Sequence, residues 1–167
     1  MTASSNPSSA SMLAGSLPFR GLDPDGIYEP LRRPGGARLR TVVVEDEALI
    51  AFEMMVTIER LGGEVPATVA TETDALEAVA KERPDVVLMD IRLAEGDGIS
   101  AARRIRAELG TPVVFVTANG DLELRQRLRE FPHAPVVVKP FRTRELLTAV
   151  LRATALGEAK PGAASAG

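Results

Sequence analysis

The sequence predicts a doubly wound α/β domain, in which helices cover both faces of one parallel β-sheet. Five apolar runs rich in valine alternate with five amphipathic segments along the middle of the chain. The runs are apolar almost throughout, which is typical of strands that are buried on both faces. Strands that alternate with helices form a parallel sheet through right-handed crossovers. In such folds, ligands bind at the carboxyl ends of the strands.

Five segments are predicted as strands. In chain order they are "LRTVVVED" (39–46), "EVPATVA" (64–70), "DVVLMD" (85–90), "TPVVFVTA" (111–118) and "APVVVKP" (134–140). The second contains Pro66, which has no N–H group for a ladder hydrogen bond, so we expect this strand at an edge of the sheet. The third ends on a carboxylate, Asp90, at the mouth of the hydrophobic core.

The first predicted helix is "EALIAFEMMVTIERLGG" (47–63), which ends at a glycine pair suited to a C-cap. Helical spacing relates Leu49, Phe52 and Ile58, with either Met55 or Val56 between them. We interpret this stripe as mainly core, with an exposed edge that offers a docking ridge for a partner's helical bundle.

The remaining predicted helices are "TDALEAVAKERP" (73–84), "GISAARRIRAELG" (98–110), "LELRQRLREF" (122–131) and "TRELLTAVLRATAL" (143–156). The second helix is expected to take a cap from Thr73 or Asp74 and to stop before Pro84. The fourth is heavily charged and is interpreted as a solvated surface. The last is expected to be capped by Thr143.

The composition excludes several kinds of site and partner. The chain has no cysteine, so disulfides, thiol catalysis and Cys-based zinc sites are excluded. Its single histidine, His133, lies in the polar turn "FPHAP" and is interpreted as a solvated loop residue. The net charge of −3 argues against a nucleic-acid partner. No apolar run approaches the roughly 18 residues that span a bilayer, so we expect no membrane insertion and a cytoplasmic location.

The predicted domain covers residues 39–156. Residues 1–38 are rich in Ser, Pro, Gly and Ala without a sustained period, and are predicted to be a disordered extension. Residues 157–167 are predicted to be a disordered tail. Because so short a tail cannot form an output domain, we expect the output to reside in another molecule.

Polar residues follow four of the five predicted strands, in order Glu45 and Asp46, Asp90, Thr117, and Lys139. Three carboxylates in one cleft would repel one another unless a cation lay among them. Oxygen ligands without His or Cys favour Mg²⁺. A lysine and a hydroxyl beside them suit the handling of a phosphoryl group. An aspartate can itself act as the nucleophile and form an aspartyl phosphate.

Four stretches, "VVVEDE", "VVLMDIRLAEGDG", "VVFVTAN" and "VVVKPF", together resemble the receiver domain of two-component response regulators. The resemblance covers residues 39–156. It implies a flavodoxin-like sheet of order 2-1-3-4-5 with five helices. It also implies Mg²⁺-dependent transfer of a phosphoryl group to Asp90 from a sensor histidine kinase or a histidine phosphotransfer protein.

The resemblance also implies a set of metal ligands. Asp46 and Asp90 would bind Mg²⁺ directly, and Glu45 would act nearby, through water. The main-chain carbonyl of Arg92 would be a further ligand. Arg92 and Asn119 stand at positions that, in the family, tune the access of hydrolytic water to the acyl phosphate.

On the phosphate side, the resemblance implies that Lys139 holds a phosphoryl oxygen and that Thr117 turns toward the phosphate. The Lys139–Pro140 bond would be cis. Two positions depart from the family pattern. Ala94 replaces a proline, which predicts a less stiff loop after the acceptor. Val136 replaces the aromatic switch residue, so the usual coupling of an aromatic residue to the threonine cannot operate.

Taken singly, these residues have ordinary structural explanations. Asp90 could cap a helix or stabilise a turn, and Glu45 and Asp46 could favour the dipole of the first helix. Lys139 could be a surface lysine, and Thr117 could merely satisfy a strand end. Their joint occurrence at the strand ends is what favours a functional site.

Three functions remain open from the sequence. The leading hypothesis is a single-domain response regulator that signals through contacts with an unknown downstream protein. The second is a receiver-like adaptor that binds a kinase or another regulator independently of phosphorylation. The third, a phosphatase of the haloacid dehalogenase type, requires an acid two residues after the nucleophile. Because that position is Arg92, the third hypothesis is disfavoured, and we expect a phosphoacceptor rather than an enzyme, with possible self-catalysed phosphotransfer and autodephosphorylation.

Overall fold

The computed structural model describes residues 30–118 and 122–158. Its sheet has five strands: β1 (Arg40–Val44), β2 (Glu64–Val69), β3 (Val86–Asp90), β4 (Val113–Thr117) and β5 (Val136–Val138). The spatial order is β2-β1-β3-β4-β5, and every neighbouring pair is parallel. The predicted order is therefore confirmed, and Pro66 lies on an edge strand as expected.

Five α-helices connect or follow the strands: α1 (Ala48–Arg60), α2 (Glu72–Glu82), α3 (Gly98–Glu108), α4 (Leu122–Arg127) and α5 (Thr143–Glu158). A short 3₁₀ turn, Leu128–Glu130, continues α4. The flavodoxin-like α/β fold class is confirmed. Among the described residues, no helix combines the length and apolar character that crossing a bilayer requires.

Two apolar cores lie on opposite faces of the sheet, because successive strand residues point to opposite sides. Val42 and Met89 belong to the core that α2 and α3 cover. Their neighbours Val43 and Leu88 belong to the core that α1 and α5 cover. All five residues of β3 are buried, so its terminal carboxylate is delivered from the centre of the domain.

Helix α1 buries a different face from the one predicted. Ala51, Met54 and Ile58 are its buried residues. Ile58 belongs to the predicted stripe and is buried as expected, but Leu49 is 80 % exposed and Phe52 is 59 % exposed, so the interpretation as core is wrong for those two residues. Both faces satisfy helical spacing, and the small Ala51 lets α1 approach the sheet closely on its own side. Leu49 and Phe52 form an apolar ridge that is exposed to solvent. This agrees with the expectation that α1 has an exposed apolar edge.

The N-terminal caps of two helices also differ from prediction. Helix α2 begins before the segment predicted for it, because Thr71 is the N-cap and its hydroxyl accepts from the main-chain N–H of Asp74 (3.1 Å). Its end before Pro84 is as predicted. Helix α5 begins at Thr143 as predicted, but Thr143 is its first helical residue and not its cap. Just before it, the main-chain N–H of Arg142 donates to the Glu145 carboxylate (2.8 Å).

The segment that precedes β1 is ordered over residues 30–38, where disorder was predicted. Leu31 is completely buried in the α1/α5 core. Its main-chain N–H donates to the carbonyl of Leu61, and its own carbonyl accepts from Leu39, both at 2.9 Å. Arg33 forms an ion pair with Asp85 at 2.7 Å. One buried leucine thus anchors this segment, and the prediction of disorder is wrong for these residues.

The predicted C-terminal boundary shifts slightly, because α5 continues through Glu158. The rest of the predicted extension, residues 1–29, and of the predicted tail, residues 159–167, lie outside the described residues.

Leu31→Ala should lower the free energy of unfolding by about 2–4 kcal/mol, because it opens a cavity in the core and removes buried apolar surface. Leu49→Ala is the matched control, and it should change stability by less than about 0.5 kcal/mol because Leu49 is exposed. Urea titration of both variants measures the difference. Equal effects of the two substitutions would contradict the anchoring role of Leu31.

Candidate functional site

Three carboxylates meet at the carboxyl end of the sheet. Glu45 and Asp46 directly follow β1, and Asp90 is the last residue of the adjacent strand β3. One oxygen atom from each of the three lies within 4.8 Å of the others. Glu45 and Asp90 are buried, whereas Asp46 is half-buried and faces the open side. Parallel pairing of β1 with β3 is what brings these predicted residues together.

Lys139 compensates part of this negative charge. Its Nζ atom lies 2.6 Å from Oε2 of Glu45 and 2.8 Å from Oδ2 of Asp90. The main-chain N–H of Lys139 donates to the carbonyl of Thr117 (2.7 Å), which fixes the start of its side chain at the sheet end. The peptide bond from Lys139 to Pro140 is cis, as the resemblance implied.

Burial acts in opposite directions on the pKa values of Glu45 and Lys139. Burial raises the pKa of Glu45 from 4.5 to about 7; Lys139 opposes this increase and the charge of Asp90 adds to it. Burial would lower the pKa of Lys139, but its hydrogen bonds to Asp90 and Glu45 outweigh that effect and leave the pKa raised. The lysine therefore stays charged, whereas burial disfavours the ionised form of Glu45.

Main-chain N–H groups hold the other two carboxylates. Oδ1 of Asp90 accepts from the N–H of Arg92 (3.0 Å), and Oδ2 of Asp46 accepts from the N–H of Ala94 (2.9 Å). Both donors belong to the loop between β3 and α3. Nothing in the residue types at these positions identifies them as donors, because the contact uses only their backbone.

Gly98, the first residue of α3, lies against the phosphoacceptor candidate. A β-carbon at this position would overlap the carbonyl oxygen of Asp90. The N–H of Gly98 also donates to the carbonyl of Ile91 (3.2 Å). Gly98 is absent from the predicted site residues, although a glycine eight residues after Asp90 is the signal that was available in the sequence.

The other predicted residues occupy distinct places around the cluster. Thr117 is 4 % exposed and ends β4, next to the β5 strand that precedes Lys139. Val136 is 43 % exposed and pairs with Phe115 in the β4–β5 register. The side chain of Arg92 is exposed, and His133 lies in an exposed turn. Asn119 lies outside the described residues.

The donor set fits a magnesium ion. Three carboxylates and one ammonium leave a formal charge of −2, which a divalent cation would balance. The available atoms are hard oxygens, with no His or Cys among the described neighbours in the cluster, and Mg²⁺ prefers such ligands. The half-buried position of Asp46 leaves a side open to water, and Mg²⁺ usually retains several water ligands. Glu45, Asp46 and Asp90, with the Arg92 carbonyl from the adjoining loop, are the groups that would hold it.

A cleft of about 320 Å³ adjoins the acidic cluster. Glu45 and Asp46 line it together with Phe52 and Met55 of α1. Through Phe52, the exposed apolar ridge of α1, formed by Leu49 and Phe52, therefore shares a cleft with the acidic site.

Comparisons with known proteins agree with this arrangement. The family model described as "Response regulator receiver domain" matches residues 41–151. The Mycobacterium tuberculosis (strain CDC 1551 / Oshkosh) "Transcriptional regulatory protein PdtaR" is 32 % identical over 111 residues, which are 66 % of this chain and 54 % of that protein. "DNA-binding response regulator MtrA" of Mycolicibacterium paratuberculosis (strain ATCC BAA-968 / K-10) is 37 % identical over 113 residues, which are 68 % of this chain and 50 % of that protein.

Solved structures give the same result. The solution structure of the Erythrobacter litoralis PhyR response regulator REC domain superposes with a TM-score of 0.63 at 35 % identity, over 75 % of this chain and 95 % of that one. The response regulator PhyR from Brucella abortus superposes with a TM-score of 0.61 at 34 % identity, over 72 % of this chain and 49 % of that one. The chain thus spans about half the length of the curated relatives that it matches.

The raised pKa of Glu45 predicts that this residue's contribution to the free energy of unfolding of the metal-free protein falls as the pH rises. Folded Glu45 holds its proton up to about pH 7, whereas the unfolded chain releases it near pH 4.5. The stability that this proton provides is present below pH 4.5 and is lost as the pH rises toward 7. Without Mg²⁺, Glu45→Gln should therefore gain stability relative to wild type between pH 5 and pH 8, by on the order of 2 kcal/mol.

Urea titrations at the two pH values, in a metal chelator, measure this gain. Glu77→Gln, at an exposed position on α2, is the matched control and should show no such pH dependence. If the free energies of unfolding of Glu45→Gln and wild type differ by the same amount at both pH values, the expected loss of stability from Glu45 is contradicted.

Proposed function

The chain belongs to the response regulator receiver family, and on this premise we propose that it accepts a phosphoryl group from a phosphohistidine on Asp90 in a Mg²⁺-dependent reaction. Receiver domains are phosphoacceptors and do not turn over a substrate as classical enzymes do. The observation that carries the proposal is the arrangement at Asp90 itself. Its buried carboxylate ends the central strand, lies in a cluster of acids, and contacts the ammonium of Lys139 at 2.8 Å.

The proposed reaction is a single displacement at phosphorus. An Asp90 carboxylate oxygen forms a bond to phosphorus as the P–N bond of the phosphohistidine breaks, and the electron pair of that bond stays on the imidazole nitrogen. A bound Mg²⁺ would neutralise charge on the phosphoryl oxygens. The N–H of Arg92 holds Oδ1 of Asp90 and so orients the nucleophile.

Lys139 changes partner in this proposal. Its ammonium contacts Asp90 in the unmodified protein, and it would move to a phosphoryl oxygen once the carboxylate has become an acyl phosphate. Formation of the acyl phosphate removes the negative charge that the lysine pairs with at Asp90, while the phosphoryl group supplies new negative charge close by. Thr117, at the end of β4, would donate its hydroxyl to the phosphoryl group.

The apolar ridge of α1 is the proposed docking surface for the phosphodonor. Leu49 and Phe52 are exposed, and Phe52 lines the cleft beside Glu45 and Asp46. A sensor histidine kinase or a histidine phosphotransfer protein that presents its histidine from a helical bundle could seat apolar side chains on this ridge. The histidine would then face Asp90 across the cluster.

A second candidate function is an adaptor that signals without phosphorylation. The observation in its favour is Val136, which is exposed on β5 at the position where family members carry an aromatic switch. One similar structure, from Bartonella quintana and 28 % identical, is titled "Anti-anti-sigma factor PhyR", and such a neighbour is compatible with this alternative. In this alternative, the partner would bind equally well whether or not Asp90 carries a phosphoryl group.

Incubation with acetyl phosphate and Mg²⁺ should add one phosphoryl group to the wild-type chain, detected as a mass increase of the intact protein. Asp90→Asn should abolish the increase, because an amide oxygen is a poor nucleophile. Asp74→Asn, at an exposed position on α2, should leave it unchanged. No mass increase in the wild-type protein would contradict the proposal and favour the adaptor.

Phe52→Ser should lower the rate of transfer from a phosphorylated histidine kinase by about tenfold, because it removes an anchor residue from the proposed docking ridge. The donor is whichever kinase, in a panel, phosphorylates the wild-type chain fastest. The rate with acetyl phosphate, which needs no docking surface, should stay within twofold of wild type. Equal losses with both donors would show that Phe52 supports the site rather than the partner.

A further inference from the structure

We infer that the main-chain N–H of Ala94 is a positioning group for the metal ligand Asp46, and that Glu72 of α2 fixes the loop that presents it. The inference rests on the proposed function, because it assigns this role at the same site. It concerns the loop between β3 and α3, residues 91–97, which also carries the carbonyl of Arg92. The lower stiffness expected from Ala94 stays a prediction, and hydrogen bonds within and around the loop act against it.

The bond from Ala94 to Asp46 joins two parts of the chain that are far apart in sequence. The N–H of Ala94 donates to Oδ2 of Asp46 at 2.9 Å, across 48 residues. Asp46 is the most exposed of the three clustered carboxylates, and its side chain has no contact with Lys139 among the described interactions. The bond engages one of its oxygens and leaves the other for a cation. A proline at position 94 has no N–H and could not form this bond.

Glu72 holds the other half of the loop. Its Oε2 accepts from the N–H of Asp97 (3.1 Å), and its Oε1 accepts from the hydroxyl of Ser100 (2.9 Å). Its own main-chain N–H donates to the carbonyl of Glu95 (3.2 Å). One residue at the start of α2 thus makes three hydrogen bonds to the loop and to the first turn of α3.

Gly96 makes this close contact possible. Its φ of +93° is a left-handed conformation that favours glycine, and a β-carbon there would collide with the side chain of Glu72. Asp97 in turn accepts from the N–H of Ser100 (2.9 Å) and caps α3. The loop is therefore fixed at its far end by Glu72 and at its near end by the bonds to Asp90 and Asp46.

These contacts explain how a loop without the family proline can still present its groups in fixed positions. A proline restricts the backbone through its own ring. Here, the restriction comes from hydrogen bonds to a neighbouring helix, and the freed N–H is used on a metal ligand. Positioning of this kind should affect the affinity for the ion far more than the rate once the ion is bound.

The test compares Mg²⁺ binding, measured by calorimetry at pH 8 on the full chain, in wild type and two pairs of variants. Ala94→Pro removes the main-chain N–H donor. Ala94→Ser keeps this N–H, and the new side chain has room because position 94 is exposed. Glu72→Ala removes the brace, and Glu77→Ala is its control on an exposed position of the same helix. Ala94→Pro should weaken the Mg²⁺ affinity about three- to tenfold, the worth of the one hydrogen bond that it removes. Glu72→Ala removes two side-chain bonds that act on the ion only through the loop, and should weaken the affinity by a similar factor. Both controls should stay within twofold of wild type.

A second readout separates positioning from general damage to the fold. The rate of phosphorylation by acetyl phosphate, followed against Mg²⁺ concentration, should reach the wild-type maximum in both variants at saturating Mg²⁺. Wild-type affinity in Ala94→Pro and Glu72→Ala would overturn the inference, and so would a maximum rate that saturating Mg²⁺ does not restore. If Ala94→Pro does not fold, as judged by circular dichroism, Glu72→Ala decides.

The proposed function and this inference fail in different ways. Absence of phosphorylation in the wild-type chain overturns the proposed function, while the calorimetric comparison still decides the inference. Wild-type phosphorylation with unchanged Mg²⁺ affinity in the variants overturns the inference alone. A wild-type chain that binds no Mg²⁺ overturns the inference as well.

Discussion

The contact of the Lys139 ammonium with Glu45 and Asp90 is the interaction on which the site depends. Three carboxylates within 4.8 Å would repel one another strongly in a partly dry environment, and the lysine is the cation that the chain itself provides. It reaches the cluster from β5, past the end of β4, and a bond from its backbone to Thr117 fixes where it starts. The strand order therefore brings Lys139 to the carboxylates whose charge it partly balances.

The same contact explains how a buried strand can end on an acid without destabilising the core. Asp90 is 5 % exposed, but Lys139 and the N–H of Arg92 satisfy its two oxygens. Burial is the main cause of the raised pKa of Glu45, and the charge of Asp90 adds to it. Lys139 and the main-chain N–H of Glu47 oppose the increase. A bound divalent cation would relieve part of the repulsion among the carboxylates. In the proposed function, the same cation would also offset the negative charge of the phosphoryl group.

The fold was predictable from the sequence because strands buried on both faces have an unmistakable apolar pattern, and Pro66 placed one of them at an edge. The cluster was predictable because parallel strands end on one side of the sheet. Two other features were not. Helical spacing alone cannot tell whether Phe52 or Met54 faces the core, since both lie on regular apolar stripes. Leu31 is a single apolar residue in a Gly- and Pro-rich segment, and only its tertiary contacts reveal that it is buried. The bond from Ala94 to Asp46 is invisible in sequence because it uses a backbone group.

The most direct test of the change of partner at Lys139 is a crystal structure of the chain with Mg²⁺ and beryllofluoride, a mimic of the phosphoryl group. The account predicts beryllium bonded to a carboxylate oxygen of Asp90, with Nζ of Lys139 moved from Asp90 to a fluorine atom and the hydroxyl of Thr117 on another. A structure in which beryllofluoride is bound elsewhere, or in which Lys139 keeps its contact with the Asp90 carboxylate, would contradict it.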